Sequence, residues 1–120
     1  MTFGEVIPVL RMFDEAATRA FYCGYLGFTW AWEHRHEPEL PLYAGITRGG
    51  CQIHLSEHHG DATPGSSIRI SCPRLDDLHA ELSGKNYGFA RPGIEEQPWG
   101  KRELTVTDPS GNRLTFFADP

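Results

Sequence analysis

The chain has only three cysteines, Cys23, Cys51 and Cys72, in 120 residues. They are odd in number, far apart and never spaced as CxxC, which argues against a disulfide framework and against a structural zinc site. They read instead as small, mostly buried apolar residues. No run of eighteen apolar residues occurs, so no bilayer-spanning helix is expected. Basic residues are few, eleven Lys and Arg against sixteen Asp and Glu for a net charge of −5, and the arginines are scattered singly. Nucleic acid is therefore a disfavoured partner, since such domains usually carry a basic stripe. GxSxG, GxxxxGK[ST] and GxGxxG are all missing, which removes the nucleophile elbow and the glycine phosphate loops. The opening MTFGEVIPVLRMF sets Glu5 and Arg11 around a short apolar run and lacks the basic-then-apolar layout of a secretion signal, so the expected location is the cytoplasm.

What is present suits one globular domain, with 39% apolar residues in a chain of ordinary domain length. Aliphatic and β-branched residues at 5–12 predict a first strand. Asp14 can cap a helix over about 14–26, favoured by Ala16, Ala17 and Ala20, with Phe21, Tyr22, Tyr25 and Leu26 as its apolar face and Gly27 as its stop. Strands follow at 28–35, 42–48 and 51–56, the last two joined by Gly49-Gly50. The polar, turn-rich segment 57–65 reads as a linker, with His58 and His59 as turn residues. The order then repeats: a strand at 66–71, a helix from Pro73 to about Asn86 with Leu75, Leu78 and Leu82 in helical spacing, and strands at 88–91, 102–107 and 113–118. An offset of 61 carries Gly27 to Gly88, Phe28 to Phe89, Gly50 to Gly111, Ile53 to Leu114 and His54 to Thr115.

The pattern is an α+β fold of two βαβββ modules, at about 5–56 and 66–118, in a single domain over 1–120. One such module cannot cover its own apolar sheet face. Two sheets are therefore expected to form a curved mixed sheet around a concavity, within one chain or across a dimer. A small-molecule pocket is the natural consequence, the alternative being a filled core without a site.

Aromatic residues are placed to line it. Trp30 and Trp32 stand two apart on one predicted strand and by alternation share a face, opposite Ala31 and Glu33. Tyr43 follows on the next strand. Trp99, between Pro98 and Gly100 in a loop, has little reason to be in the core. Such faces stack on flat heterocycles and attract cations. Net acidity also favours a cationic ligand, and Glu103, on the strand after PWG, is singled out among Glu33, Glu37, Glu57, Glu95 and Glu96. His34 and His36, at i and i+2, are predicted on the face of the two tryptophans, either as ligand contacts or, with Glu37, as a transition-metal site.

FDEAATRAFYCGYLGF at 13–28, the GG hairpin and DPSGNRLTFF at 108–117 resemble the vicinal oxygen chelate superfamily, the glyoxalase and bleomycin-resistance group. With QPWGKREL at 97–104 the resemblance is greatest to bleomycin-resistance proteins, and it covers nearly the whole chain. It implies a strand-exchanged homodimer with two interface grooves that sequester a planar, cationic glycopeptide. An aromatic residue of that groove aligns with Trp32. Enzymes of the superfamily generally chelate a divalent metal through four side chains, whose positions fall here on Ile7, His54, Ser67 and Thr115. Ile7 has no donor, and neutral hydroxyls replace imidazole or carboxylate poorly. The expectation is a binding protein without cofactor, bound metal or catalytic residues, and with ligand contacts at Trp30, Trp32, His34, His36, Tyr43, His54, Trp99, Gly100 and Glu103. The alternatives are a metal-dependent lyase, isomerase or dioxygenase with an altered site around His54, His34 or His36, and a module for another planar metabolite.

Overall fold

The computed structural model describes residues 1–88 and 90–120 and arranges them as two successive modules, each with a four-stranded mixed sheet. The first contains β1 (Val9–Arg11), α1 (Glu15–Arg19) with a π-helical continuation (Ala20–Tyr25), β2 (Thr29–His34), β3 (Tyr43–Arg48) and β4 (Cys51–Ser56), in sheet order β1-β4-β3-β2. The second contains β5 (Ser67–Ser71), α2 (Leu75–Ser83), β6 (Glu95–Glu96), β7 (Arg102–Thr107) and β8 (Arg113–Ala118), in order β5-β8-β7-β6. In each sheet the first strand runs parallel to the last, and the other pairings are antiparallel.

Two predicted strands differ. The first begins at Val9 rather than residue 5, because Pro8 accepts from the His54 N–H at 2.9 Å but has no N–H to return. Of the strand predicted at 88–91, Gly88, Ala90 and Arg91 lie outside regular structure and Phe89 outside the described residues. Pro92 and Gly93 interrupt the chain there, and pairing starts only at Glu95 and Glu96, against Glu103 and Arg102.

Side-chain alternation gives each sheet two unlike faces. Leu10, Ala44, Ile46, Ile53 and Leu55 of the first sheet share a buried cluster with Phe21, Tyr22, Tyr25 and Leu26 of the first helix. Leu104, Val106, Leu114 and Phe116 of the second join Leu75, Leu78 and Leu82 of α2 in the same cluster. The opposite faces carry Tyr43, Gly45 and His54, and Arg69, Glu103, Thr105 and Thr115. Asp14 caps α1 as predicted, accepting from the Ala17 N–H at 3.0 Å.

Polar contacts lock the modules together. Asp108 accepts from the buried Tyr22 hydroxyl at 2.6 Å and from the Asn112 side chain at 2.9 Å, and Asn112 also donates to the Arg11 carbonyl at 2.8 Å. The DPSGN turn is thus anchored on the first module. Burial and then the Asp108 carboxylate push the Tyr22 hydroxyl well above its ordinary pKa, so it stays a donor. On α2, Glu81 accepts from both ends of the Arg48 guanidinium at 2.8 Å and from Lys85 at 3.3 Å. The same cations donate to Leu26 and Tyr25 carbonyls at the end of the first helix.

The radius of gyration is 15.0 Å and the molecule measures 47 × 45 × 23 Å. A compact chain of this length would have a radius of about 13.6 Å, so the molecule is flattened. No helix among the described residues is long and apolar enough to cross a membrane.

Candidate functional site

Residues directly opposite each other in an antiparallel pair project to one face, so register decides which side chains meet. In β2, Trp30 is opposite Ile46 while Trp32 is opposite Gly45, leaving Ala31 as the extra residue of a β-bulge. The bulge puts the two tryptophans on opposite faces, contrary to the expectation from simple alternation. Trp30 sides with Ile46: it packs against the core, lies 4.0 Å under the Arg19 guanidinium and donates to Glu33 at 3.2 Å. Trp32 and His34, the latter opposite Tyr43, take the other face. His36 lies beyond the end of β2 in an exposed bend, so strand parity does not place it with them.

The open face of the first sheet carries a cluster of rings. Gly45 is registered between Trp32 on β2 and His54 on β4. The Trp32 and Tyr43 rings are near-parallel, with centroids 5.9 Å apart and 16° between planes. Trp32 meets His54 edge-on at 5.0 Å, and Tyr43 Oη is 2.8 Å from His54 Nδ1. Burial, and then Asp61, raises the Tyr43 pKa, keeping the hydroxyl neutral and able to donate or accept.

The open face of the second sheet is polar and carries one exposed indole. Gln97 to Gly100 close a turn through the Gly100 N–H on the Gln97 carbonyl at 3.0 Å, with Pro98 at the second position. The chain then rejoins β7 through Gly100 at φ +81°, a conformation glycine adopts without strain. This turn projects Trp99, which is 62% exposed. Its indole N–H nevertheless has a fixed partner, Glu103 Oε2, at 2.9 Å. Arg69 on β5 donates to the same oxygen at 2.6 Å, and its guanidinium lies 5.0 Å over Phe117. The Glu103 side chain is only 8% exposed. Arg69 first, and Trp99 after it, hold its carboxyl below the usual pKa against the opposing effect of burial, so it is ionised at neutral pH. Glu103 also joins Glu95, Gln97 and Thr105 around a small polar cavity of about 200 Å³.

Of the nine predicted contact residues, the structure therefore brings Trp32, His34, Tyr43 and His54 to one open face and Trp99, Gly100 and Glu103 to another. Trp30 and His36 join neither. Two residues of these clusters escaped the sequence reading. Arg69 is visible there only as the charged member of SSIRIS, and Gly45 only as a glycine inside a strand-like run. Cross-strand register supplies their meaning.

The superfamily's chelating positions do not fit a metal here. His54 has Nδ1 engaged by Tyr43, and Thr115 shares a hydrogen bond with Thr105 at 3.0 Å. The register moves the two first-strand positions from those expected: Val9 rather than Ile7 is registered with His54 and, like Ile7, has no donor, and Arg69, a cation that repels another, rather than Ser67 is registered with Thr115. Among the described residues, no group of three or more His, Cys, Asp or Glu side chains converges for a metal ion. The three cysteines, expected to be mostly buried, are each half-buried. Burial pushes all three thiols up in pKa, which makes them poor nucleophiles at neutral pH.

A cavity of about 980 Å³ is lined by residues of both modules, including Leu26, Ile53, Ile68 and Cys72, but by none of the nine predicted contacts. Seven of those contacts belong to the two open faces instead, all but Trp30 and His36.

With a family model described as "Glyoxalase superfamily protein" matching residues 1–119, the chain belongs to the glyoxalase superfamily. Bleomycin resistance proteins of Geobacillus stearothermophilus and Staphylococcus aureus are each 26% identical to it, over 94% of this chain and 95% of theirs. Among solved structures, the bleomycin-binding protein of the bleomycin producer Streptomyces verticillus, in complex with copper(II)-bleomycin, is 30% identical with a TM-score of 0.73. That match spans 100% of this chain and 99% of the other. A second bleomycin-binding protein, complexed with bleomycin, shares the fold at a TM-score of 0.75 and 21% identity, over 98% of this chain and 100% of its own.

Proposed function

We propose that this protein binds and sequesters a planar, cationic glycopeptide antibiotic of the bleomycin type, in the cytoplasm, without a metal held by its own side chains. The site is a groove at a homodimer interface, formed by the Trp32–Tyr43–His54 face of one protomer and the Trp99–Glu103–Arg69 face of its partner. The observation that carries this reading is Trp99, a large indole left mostly in solvent yet fixed by a buried carboxylate. Solvation alone would not require that anchor. A preformed aromatic surface is suited to stack on a flat heterocycle, because little side-chain freedom is lost on binding. The names of the relatives support the ligand class. The interface reading is supported by the flattened molecule and by residues 1–8, which carry exposed Met1, Phe3 and Val6 ahead of β1. Exposed apolar surface of this kind favours burial against a second copy.

Titration with bleomycin while following tryptophan fluorescence tests the reading. Saturable quenching at micromolar drug, lost in Trp99→Ala, is expected, and no quenching overturns it. Elemental analysis of untagged protein tests the metal-independent part, which stoichiometric, tightly held Ni, Zn, Mn or Fe would overturn.

A further inference from the structure

Gly45 occupies the middle of β3, where a glycine weakens a strand and leaves no side chain to pack. Its backbone does not explain it, since it is absent from the glycines with positive φ. Nor does the fold demand it. The corresponding place in the second sheet, opposite Thr115 as Gly45 is opposite His54, holds the β-branched Thr105. The space above Gly45 is what differs. A Cβ there would stand 2.4 Å from both Cε2 and Nε1 of Trp32 and 2.6 Å from Cζ2, all closer than side chains pack. The indole occupies the place of the missing side chain and reaches across β3 to the edge of His54. Trp32 remains 41% exposed, so its outer surface is available.

We propose that Gly45 is a positioning residue: by lacking a side chain it lets the Trp32 indole lie down on the sheet against His54, which sets the depth and orientation of the aromatic surface that meets ligand. Its effect on ligand rests on the binding function proposed above, whereas its effect on the indole does not. A larger residue at 45 lifts or turns the ring, and a stacking contact depends on both height and plane.

The test compares wild type, Gly45→Ala, Trp32→Ala and the double variant, with metal-free bleomycin as probe and near-UV circular dichroism as a readout of the ring that needs no ligand. Gly45→Ala is expected to alter the Trp32 band, identified by its loss in Trp32→Ala, and to weaken bleomycin binding by about tenfold or more. In the Trp32→Ala background the same substitution is expected to change nothing further. An unaltered band overturns the positioning, and additive losses of affinity overturn its link to ligand. If Gly45→Ala does not fold, recovery of the fold in the double variant supports the clash with Trp32, and failure to recover overturns it. If wild type ignores bleomycin, the binding reading fails while the dichroism still decides the placement of the ring.

Discussion

Individual side chains here are held in place by partners the linear sequence does not announce. Trp99 is the legible case, because PWG marks a turn and a tryptophan in a turn has no core to fill. Its anchor, the Glu103–Arg69 pair, depends on β5 and β7 both flanking β8, which the order of residues does not reveal. If the indole stacks on drug, Trp99→Ala weakens bleomycin binding by about ten- to a hundredfold with little change in thermal stability, measurable by paired titration and melting. Tyr22→Phe has the opposite profile. It removes a buried donor from Asp108, so chemical denaturation is expected to show a loss of about 1–3 kcal/mol with the drug affinity kept.

Among elements, the helices and the two long hairpins were readable because their signals are local: the Asp14 cap, the leucine spacing of α2, the Gly49-Gly50 and DPSGN turns. β6 and the bulge in β2 were not, since each depends on a pairing partner distant in sequence. Trp30 and Trp32 obey alternation on paper, and one unpaired alanine reverses the outcome. Deleting Ala31 should consequently be tolerated. Removing a residue from a regular strand inverts every later side chain, but here it removes only the unpaired one and leaves both tryptophans on their present faces. Retained drug affinity with a melting temperature near wild type is expected, and an unfolded product would refute the bulge. The clasp on α2 gives a pH signature. Glu81 has its pKa lowered from 4.5 to about 2, chiefly by Arg48. A lowered folded-state pKa stabilises above the unfolded value, and that stability is lost as pH falls from about 4.5 toward 2. Melting temperature measured across this window should fall less steeply in Glu81→Gln than in wild type.

At the scale of the molecule, two modules of one plan have diverged into unlike faces, one of stacked rings and one of an ion pair with a projecting indole. The α+β class and the doubled βαβββ pattern could be read from the chain, because hydrophobic periodicity and glycine turns repeat along it. The pairing of one face with the other, proposed above, could not, since no local signal along the chain specifies it. If each groove takes one face from each subunit, defects on the two faces should complement. Homodimers of Trp32→Ala and of Trp99→Ala would each have two damaged grooves. A hybrid dimer, made by refolding the two variants together, would have one doubly damaged groove and one wholly intact. Such a mixture should regain drug capture at near wild-type affinity, with one molecule bound per hybrid, as no single-chain pocket could.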